Sequence, residues 1–121
     1  MNNTRPAHTI EVYKWHLRAL NNLYDIEQKL AAHGNPGNAK RNVEQIKEIF
    51  VESTQLFYED PTGKPFSETT ADLEASITGI GTENLTVVEV IKPIVRLGNQ
   101  TFSRVVQKGI VIVKSQSEGK D

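Results

Sequence analysis

Residues 59–65, Glu-Asp-Pro-Thr-Gly-Lys-Pro, divide the sequence into two halves with different hydrophobic periods. Prolines and a glycine placed this closely are typical of a turn that ends a helix. Before this segment, apolar residues recur every three or four positions, which indicates helices. After it, β-branched residues dominate, which indicates strands. The sequence therefore predicts an α+β fold, with helices first and a small β domain second.

The first half predicts an antiparallel helical hairpin. We expect one amphipathic helix from Thr9 to Ala32 and a second from about Asn38 to Tyr58. The linking segment contains Gly34, which suits the left-handed position after a helix, and Pro36, which prevents continuation. Two helices joined by a short loop of this kind pack most simply side by side in opposite directions.

The apolar stripes of these helices predict a homodimer. A helix of about 24 residues is about 36 Å long, and a sheet of short strands is too small to cover it. We therefore expect a two-fold dimer in which two hairpins form a four-helix bundle. An ordinary α+β monomer, with the sheet folded back along the hairpin, is the alternative. The residues expected at the dimer interface are Tyr13, Leu17, Leu20, Tyr24, Val43, Ile46, Phe50 and Phe57.

The second half predicts a small, mostly antiparallel sheet of short strands that begins at Ile77. Pro93 interrupts the longest β-branched run, so this run is either an edge strand or two strands joined at a bend. Residues 67–76 are polar, and we expect a short helical turn or a loop there. The expected organisation is a dimerisation hairpin (9–58), a partner-binding β domain (59–114) and a flexible tail (115–121).

Composition excludes several classes of function. The chain has no Cys, which excludes disulfides, thiolate metal sites and a Cys nucleophile. Its 14 Lys and Arg against 15 Asp and Glu do not indicate a nucleic-acid binder. No segment resembles a membrane span or a secretory signal, so we expect a cytoplasmic protein without membrane contact.

Catalytic patterns are equally scarce. His8, His16 and His33 have no partner at metal-ligand spacing, so no metal site is expected. Residues 79–81, Gly-Ile-Gly, lack the third glycine and the following helix of a phosphate loop. Phe102 is the only aromatic residue on a predicted strand, which gives little support to RNA binding. We expect no catalytic residue and no cofactor, and therefore a protein that is not an enzyme.

Charge is unevenly distributed in the second half. Between Glu89 and Glu118 the sequence contains five cations and no anion: Lys92, Arg96, Arg104, Lys108 and Lys114. A basic region of this kind suits an acidic protein surface. Equally, cations on strands protect sheet edges from aggregation. Both interpretations stay open at this point.

Several segments resemble the GrpE family, the nucleotide exchange factors of DnaK-type chaperones. Residues 43–58 followed by Gly63-Lys64-Pro65-Phe66 resemble the second bundle helix and the Gly-x-Pro-Phe motif of that family. Glu74-Ala75 resembles part of its His-Glu-Ala motif, residues 87–93 resemble its Val-x-Glu-Val strand, and residues 104–113 resemble its closing segment. The sequence departs from the family pattern in having Leu73 for the His, Pro93-Ile94 for Gly-Tyr and Gln107 for the second Arg. We expect no counterpart of the family's long N-terminal paired helix within residues 1–9, which are too few to form it.

The resemblance implies a mechanism without catalysis. A GrpE-like dimer sets its β domain against the ATPase domain of the chaperone and favours the open cleft, which binds ADP poorly. The resemblance places Arg104, Gln107 and Lys108 on the partner-facing side, together with Arg96. One alternative is a dimeric protein-protein interaction module with a GrpE-like fold, a different partner and no exchange activity. Another is a small enzyme or ligand-binding domain with a cleft between hairpin and sheet.

Overall fold

The computed structural model describes residues 12–116, and in this range the chain has the predicted α+β order. Two helices come first, separated by a 3-10 turn at Pro36–Asn38, and the strands follow. The helices are α1 (Lys14–His33) and α2 (Ala39–Thr54). The strands are β1 (Leu56–Glu59), β2 (Pro65–Phe66), β3 (Leu73–Thr78), β4 (Leu85–Lys92), β5 (Ile94–Gly98), β6 (Ser103–Gln107) and β7 (Gly109–Ser115).

The first helix ends at His33, one residue after the predicted Ala32, and the predicted stop residue Gly34 caps it. This glycine has φ 97°, and its N–H donates to the carbonyl of Leu30 at 2.9 Å. The predicted start at Thr9 lies outside the described residues. Neither helix in the described part of the chain is long and apolar enough to cross a membrane.

The predicted end of the second helix at Tyr58 is wrong, because α2 ends at Thr54. Gln55 takes the left-handed conformation, with φ 62°, and its N–H closes the last turn on the Val51 carbonyl. The Thr54 hydroxyl then accepts a hydrogen bond from the Leu56 N–H at 3.2 Å. The chain leaves the helix as strand β1, so Phe57 does not extend the helical stripe.

The strands form two sheets. Strands β1, β5 and β6 form an antiparallel sheet in the order β1-β5-β6, here called the helix-facing sheet. Strands β2, β4, β7 and β3 form a second sheet in that order, here called the outer sheet. Strand β3 runs parallel to β7, whereas the other pairs are antiparallel. The expected turn or loop over residues 67–76 is wrong for its last part, because Leu73 is buried and pairs with Gly109 at the start of β3.

Pro93 lies at the bend where one extended run changes sheets. Strand β4 ends at Lys92 in the outer sheet, and β5 begins at Ile94 in the helix-facing sheet. Both strands have a neighbour on each side, so the prediction of two strands joined at a bend is confirmed and the edge-strand alternative is wrong. A residue without an N–H suits such a junction, where ladder pairing is interrupted.

The helix-facing sheet separates two hydrophobic cores. The core between the helices and this sheet contains Leu20, Leu23, Val43, Leu56, Val95 and Leu97. The core on the outer sheet contains Leu73, Leu85, Val87, Ile94, Val111 and Val113. Residues of β5 contribute to both cores, because alternate side chains of a strand point to opposite faces.

This packing changes the role of part of the predicted dimer stripe. Leu20, Tyr24 and Val43 are buried within a single chain, where the hairpin packs on its own sheet. The expectation that these three residues face a second chain is therefore wrong. The hairpin does fold against the sheet, as the monomer alternative requires, although other apolar helix residues stay exposed.

We expect Gly98 to tolerate no larger residue. It has φ 134°, and a Cβ there would lie 2.3 Å from the Phe102 carbonyl oxygen. Gly98→Ala should lower the free energy of unfolding by about 3 kcal/mol. The new methyl group would clash with the backbone of Phe102, and alanine is strained at a positive φ. Gly63 also has positive φ but meets no atom within 4 Å, so Gly63→Ala should cost about 1 kcal/mol. Urea unfolding measures both, and equal losses would contradict the clash.

Candidate functional site

The side of the outer sheet that faces away from its core is open to solvent. Val111 and Val113 of β7 point into the core, so Ile110, Ile112 and Lys114 lie on the opposite side. We call this side the open sheet face. The charged residues that the register places there beside β7 are Glu74 and Lys92, both opposite Ile110, and Glu89, opposite Ile112.

Two bulges in β4 add apolar side chains to this surface. The register with β7 shifts between Val87 and Glu89 and again between Val90 and Lys92. Each shift leaves one residue of β4 unpaired, Val88 in the first and Ile91 in the second, and both side chains are about half exposed. Without the bulges, side chains of β4 would alternate between the core and solvent, and only the core side would be apolar. The bulges place Val88 and Ile91 on the solvent side as well.

Two of the predicted partner-binding residues lie along one exposed edge. Strand β6 is the edge strand of the helix-facing sheet, with Arg104 near its beginning and Lys108 directly after its end. Both side chains are exposed, and neither makes an ion pair within residues 12–116. Their charges are thus available to a partner on the same edge.

Arg96, by contrast, is used inside the fold. Its Nε donates to Glu59 at 2.8 Å, and its Nη2 donates to Asp72 at 2.9 Å. Lys64 also forms an ion pair with Glu59. Burial raises the pKa of Glu59, but the hydrogen bonds from Lys64 and Arg96 outweigh this effect and hold the pKa below its usual 4.5. Arg96 thus joins β1 to the segment before β3.

Gln107 is also satisfied within the chain. Its Nε2 donates to the Asn21 side chain and to the Pro93 carbonyl, both at 2.9 Å. Its Oε1 accepts a hydrogen bond from the Asn21 side-chain amide at 3.2 Å. Gln107 therefore fixes β6 to α1 and to the bend, and the predicted partner-facing set is reduced to Arg104 and Lys108.

A polar cluster that the sequence did not reveal fixes the hairpin on β1. The Tyr58 hydroxyl donates to Glu27 at 2.5 Å, and Lys47 pairs with the same carboxylate at 3.2 Å. Burial, and then the Glu27 carboxylate, raise the pKa of Tyr58 well above its ordinary value. Burial opposes ionisation of Glu27, yet the hydrogen bonds from Tyr58 and Lys47 lower its pKa. Nearby, burial and Asp60 raise the pKa of Tyr24 to about 12.

Five large apolar side chains of α1 and α2 stay exposed, and four of them, all except Val51, form one set. Trp15 and Ile26 are eleven residues apart on α1, about three turns, and so lie on the same side of that helix. Ile46 and Ile49 are one turn apart on α2. We call this set the outer helix face. Only Ile46 belongs to the predicted dimer stripe, although Tyr13 of that stripe is also about half exposed.

Compared with protein-family models, curated proteins and solved structures, the chain gives no match in any of the three. Within residues 12–116, no group of three or more His, Asp or Glu side chains is placed to hold a metal ion.

Replacing Arg96 should reveal its internal role. Arg96→Met leaves two carboxylates partly buried without this partner, so the free energy of unfolding at pH 7 should fall by about 2 kcal/mol, less than for a fully buried pair. Because the pKa of Glu59 is lower in the folded protein than its usual 4.5, ionised Glu59 stabilises the fold at pH values above 4.5. This stabilisation is lost as the pH falls through the lower pKa of the folded protein. The loss of stability on acidification should therefore be smaller in Arg96→Met.

Urea unfolding at pH 7 and at acidic pH measures both quantities. Lys108→Met is the control, since it removes an exposed cation and should change stability by less than about 0.5 kcal/mol. If the two variants are equally stable, Arg96 does not hold the strands together and regains its predicted place at the partner surface.

Proposed function

We propose that the protein is a GrpE-like co-chaperone, which binds the ATPase domain of a DnaK-type chaperone and promotes the release of ADP. One observation carries this proposal: parts of four of the five segments that resemble GrpE lie in neighbouring strands of one sheet. Residues 65–66 form β2, residues 87–92 lie in β4, residues 109–113 lie in β7 and residues 74–75 lie in β3. The strand order is β2-β4-β7-β3. Segments far apart in sequence thus contribute to one surface.

The open sheet face has the composition of a protein-binding surface. Val88, Ile91, Ile110 and Ile112 supply apolar area, and charged residues lie beside them. An interface of this kind combines an apolar centre with a polar rim. Arg104 and Lys108 add positive charge at the β6 edge, where they would speed association with an acidic partner and fix its orientation.

Exchange follows from differential affinity alone. A cofactor that binds the open cleft of the ATPase more tightly than the closed cleft shifts the population towards the open state. A tenfold shift requires only about 1.4 kcal/mol of difference between the two complexes. No bond is made or broken on this chain, so the function needs a shaped surface and no catalytic group. We place the activity in the cytoplasm, because a chain without cysteine suits a reducing compartment.

The proposed co-chaperone is a homodimer that pairs through the outer helix face. Trp15, Ile26, Ile46 and Ile49 are exposed on the hairpin. Full burial of a large apolar side chain contributes roughly 1.5–3 kcal/mol, so covering this set would favour association. Two hairpins joined through these faces would form the four-helix bundle, while Leu20, Tyr24 and Val43 keep their places under the sheet.

A second candidate function is a dimeric interaction module that binds a different partner and has no exchange activity. Leu73, which replaces the family His, is buried in the outer core. Arg96 and Gln107 are engaged within the chain. Leu73 and Gln107 therefore depart from the family pattern, and Arg96 is not free to contact a partner, which favours a changed partner.

The exchange proposal predicts faster release of labelled ADP from a DnaK-type ATPase when the protein is present at saturating concentration. Arg104→Glu/Lys108→Glu should slow the stimulated release by roughly tenfold at limiting concentration, because the reversed charges repel an acidic partner. Stopped-flow fluorescence measures the release rate. Lys29→Glu/Lys40→Glu, with the same charge change on exposed helix residues, should behave as the wild type. Unstimulated release at saturation would exclude the co-chaperone and favour the second candidate.

The dimer proposal predicts a molar mass in solution of twice the 13.5 kDa of one chain. Ile26→Asp/Ile49→Asp should shift the protein to the single-chain mass, because each carboxylate would be buried without a partner at the interface. Light scattering over a dilution series measures the mass. Val51→Asp is the control, since Val51 is an exposed apolar residue of α2 outside the outer helix face. A single-chain mass for the concentrated wild type would refute the pairing.

A further inference from the structure

A groove lies between α2 and β1, and none of its lining residues belongs to the open sheet face or the outer helix face. It contains a cavity of about 220 Å³, with Leu20 at its inner end and Val51 and Leu56 on its walls. Leu20 and Leu56 are core residues, whereas Val51 is 43% exposed. The cavity is smaller than the roughly 300–1,000 Å³ of a drug-sized ligand site. Its size suits one inserted side chain, and its lining requires that side chain to be apolar.

The groove runs along the open edge of β1. Its wall includes Leu56, Phe57 and Tyr58 in succession. Consecutive side chains of a strand point to opposite faces, so a cavity that touches all three residues must reach the edge of the strand. One edge of β1 pairs with β5, and no strand in the described part of the chain pairs with the other.

The backbone of β1 offers unpaired groups on this side. The Gly98 N–H donates to the Gln55 carbonyl at 2.9 Å, which fixes the alternation of the β1–β5 ladder. By that alternation, Phe57 and Glu59 bond towards β5, and the peptide groups of Leu56 and Tyr58 point away. Thr54 satisfies the Leu56 N–H. The Leu56 carbonyl and both peptide groups of Tyr58 thus have no backbone partner within residues 12–116.

The rim of the groove is acidic. Glu44, Glu48 and Glu52 follow one another at intervals of about one turn along α2, and all three line the cavity. Lys47 is the one cation of the lining, and it is paired with Glu27 and Glu44. Glu48 and Glu52 are exposed and have no ion pair among the described residues. The uncompensated charge of the rim is therefore negative.

From these features we propose that the groove binds an extended basic segment of another protein by strand addition to β1. The segment pairs with the Leu56 carbonyl and with the N–H and carbonyl of Tyr58, and one apolar side chain enters the cavity beside Val51. Lys or Arg residues that flank this side chain contact Glu48 and Glu52. The open backbone edge requires an extended conformation, and the acidic rim requires positive charge. This site is independent of the proposed exchange activity.

The test uses the full chain and a labelled heptapeptide, acetyl-Arg-Lys-Leu-Val-Leu-Lys-Arg-amide, with fluorescence anisotropy as the readout. We expect saturable binding that weakens with salt, because exposed charges are screened. Glu48→Lys/Glu52→Lys should weaken binding by roughly tenfold. The matched control, Glu68→Lys/Glu83→Lys, makes the same charge change at exposed positions outside the groove and should bind as the wild type.

A second peptide, N-methylated at alternate backbone amides, keeps its charges but cannot donate to β1. It should bind at least roughly tenfold more weakly, because it loses the backbone hydrogen bonds to β1 and keeps only its contacts with the acidic rim. In addition, the unmodified peptide should slow hydrogen exchange of the Tyr58 amide. Equal binding of the two peptides, unchanged Tyr58 exchange, or equal effects of the two double substitutions would each overturn the proposal. So would the absence of saturable binding up to about 1 mM.

Discussion

The bend at Pro93 is the constraint on which the rest of the structure depends. It lies between two strands of different sheets, and the next two residues, Ile94 and Val95, are both completely buried. Because these two side chains point to opposite faces of β5, Ile94 fills the outer core and Val95 fills the helix-side core. Moving this junction by one residue would send each side chain into the wrong core. The hydrogen bond from Gln107 to the Pro93 carbonyl holds β6 at the same point.

This central position of β5 determines which surfaces are left for partners. Its neighbours β1 and β6 become edge strands, so each has one side that pairs with no strand of residues 12–116. The β6 edge carries Arg104 and Lys108, whereas the β1 edge lies beside the acidic rim of α2. The two edges of one sheet therefore differ in charge, and a partner that is attracted to one is repelled by the other. The two proposed partners, one acidic and one basic, would therefore bind at different edges of the same sheet.

The order of helices and strands could be predicted from the sequence, since it follows from local signals such as the change of period and the stop at Gly34. The end of α2 could not, because Leu56, Phe57 and Tyr58 suit a helix stripe as well as a strand, and pairing with β5 decides between them. The roles of Arg96 and Gln107 also depend on partners distant in sequence, Asp72 and Asn21. Arg104 and Lys108, whose side chains form no ion pair within residues 12–116, lie on an exposed edge, where the charge pattern predicts a binding surface.

The broad apolar stripe of the hairpin has two uses. Leu20, Tyr24 and Val43 pack on the chain's own sheet. The Glu27 carboxylate, which binds both Tyr58 and Lys47, holds the hairpin in this position. Residues on the outer helix face take no part in this core. The apolar stripe is wider than the contact with the sheet requires. One part of it therefore supports the single-chain fold, and the other part supports the proposed dimer. Because the proposed dimer contact and the open sheet face use different elements, a change that separates the two chains of the proposed dimer should leave the open sheet face intact.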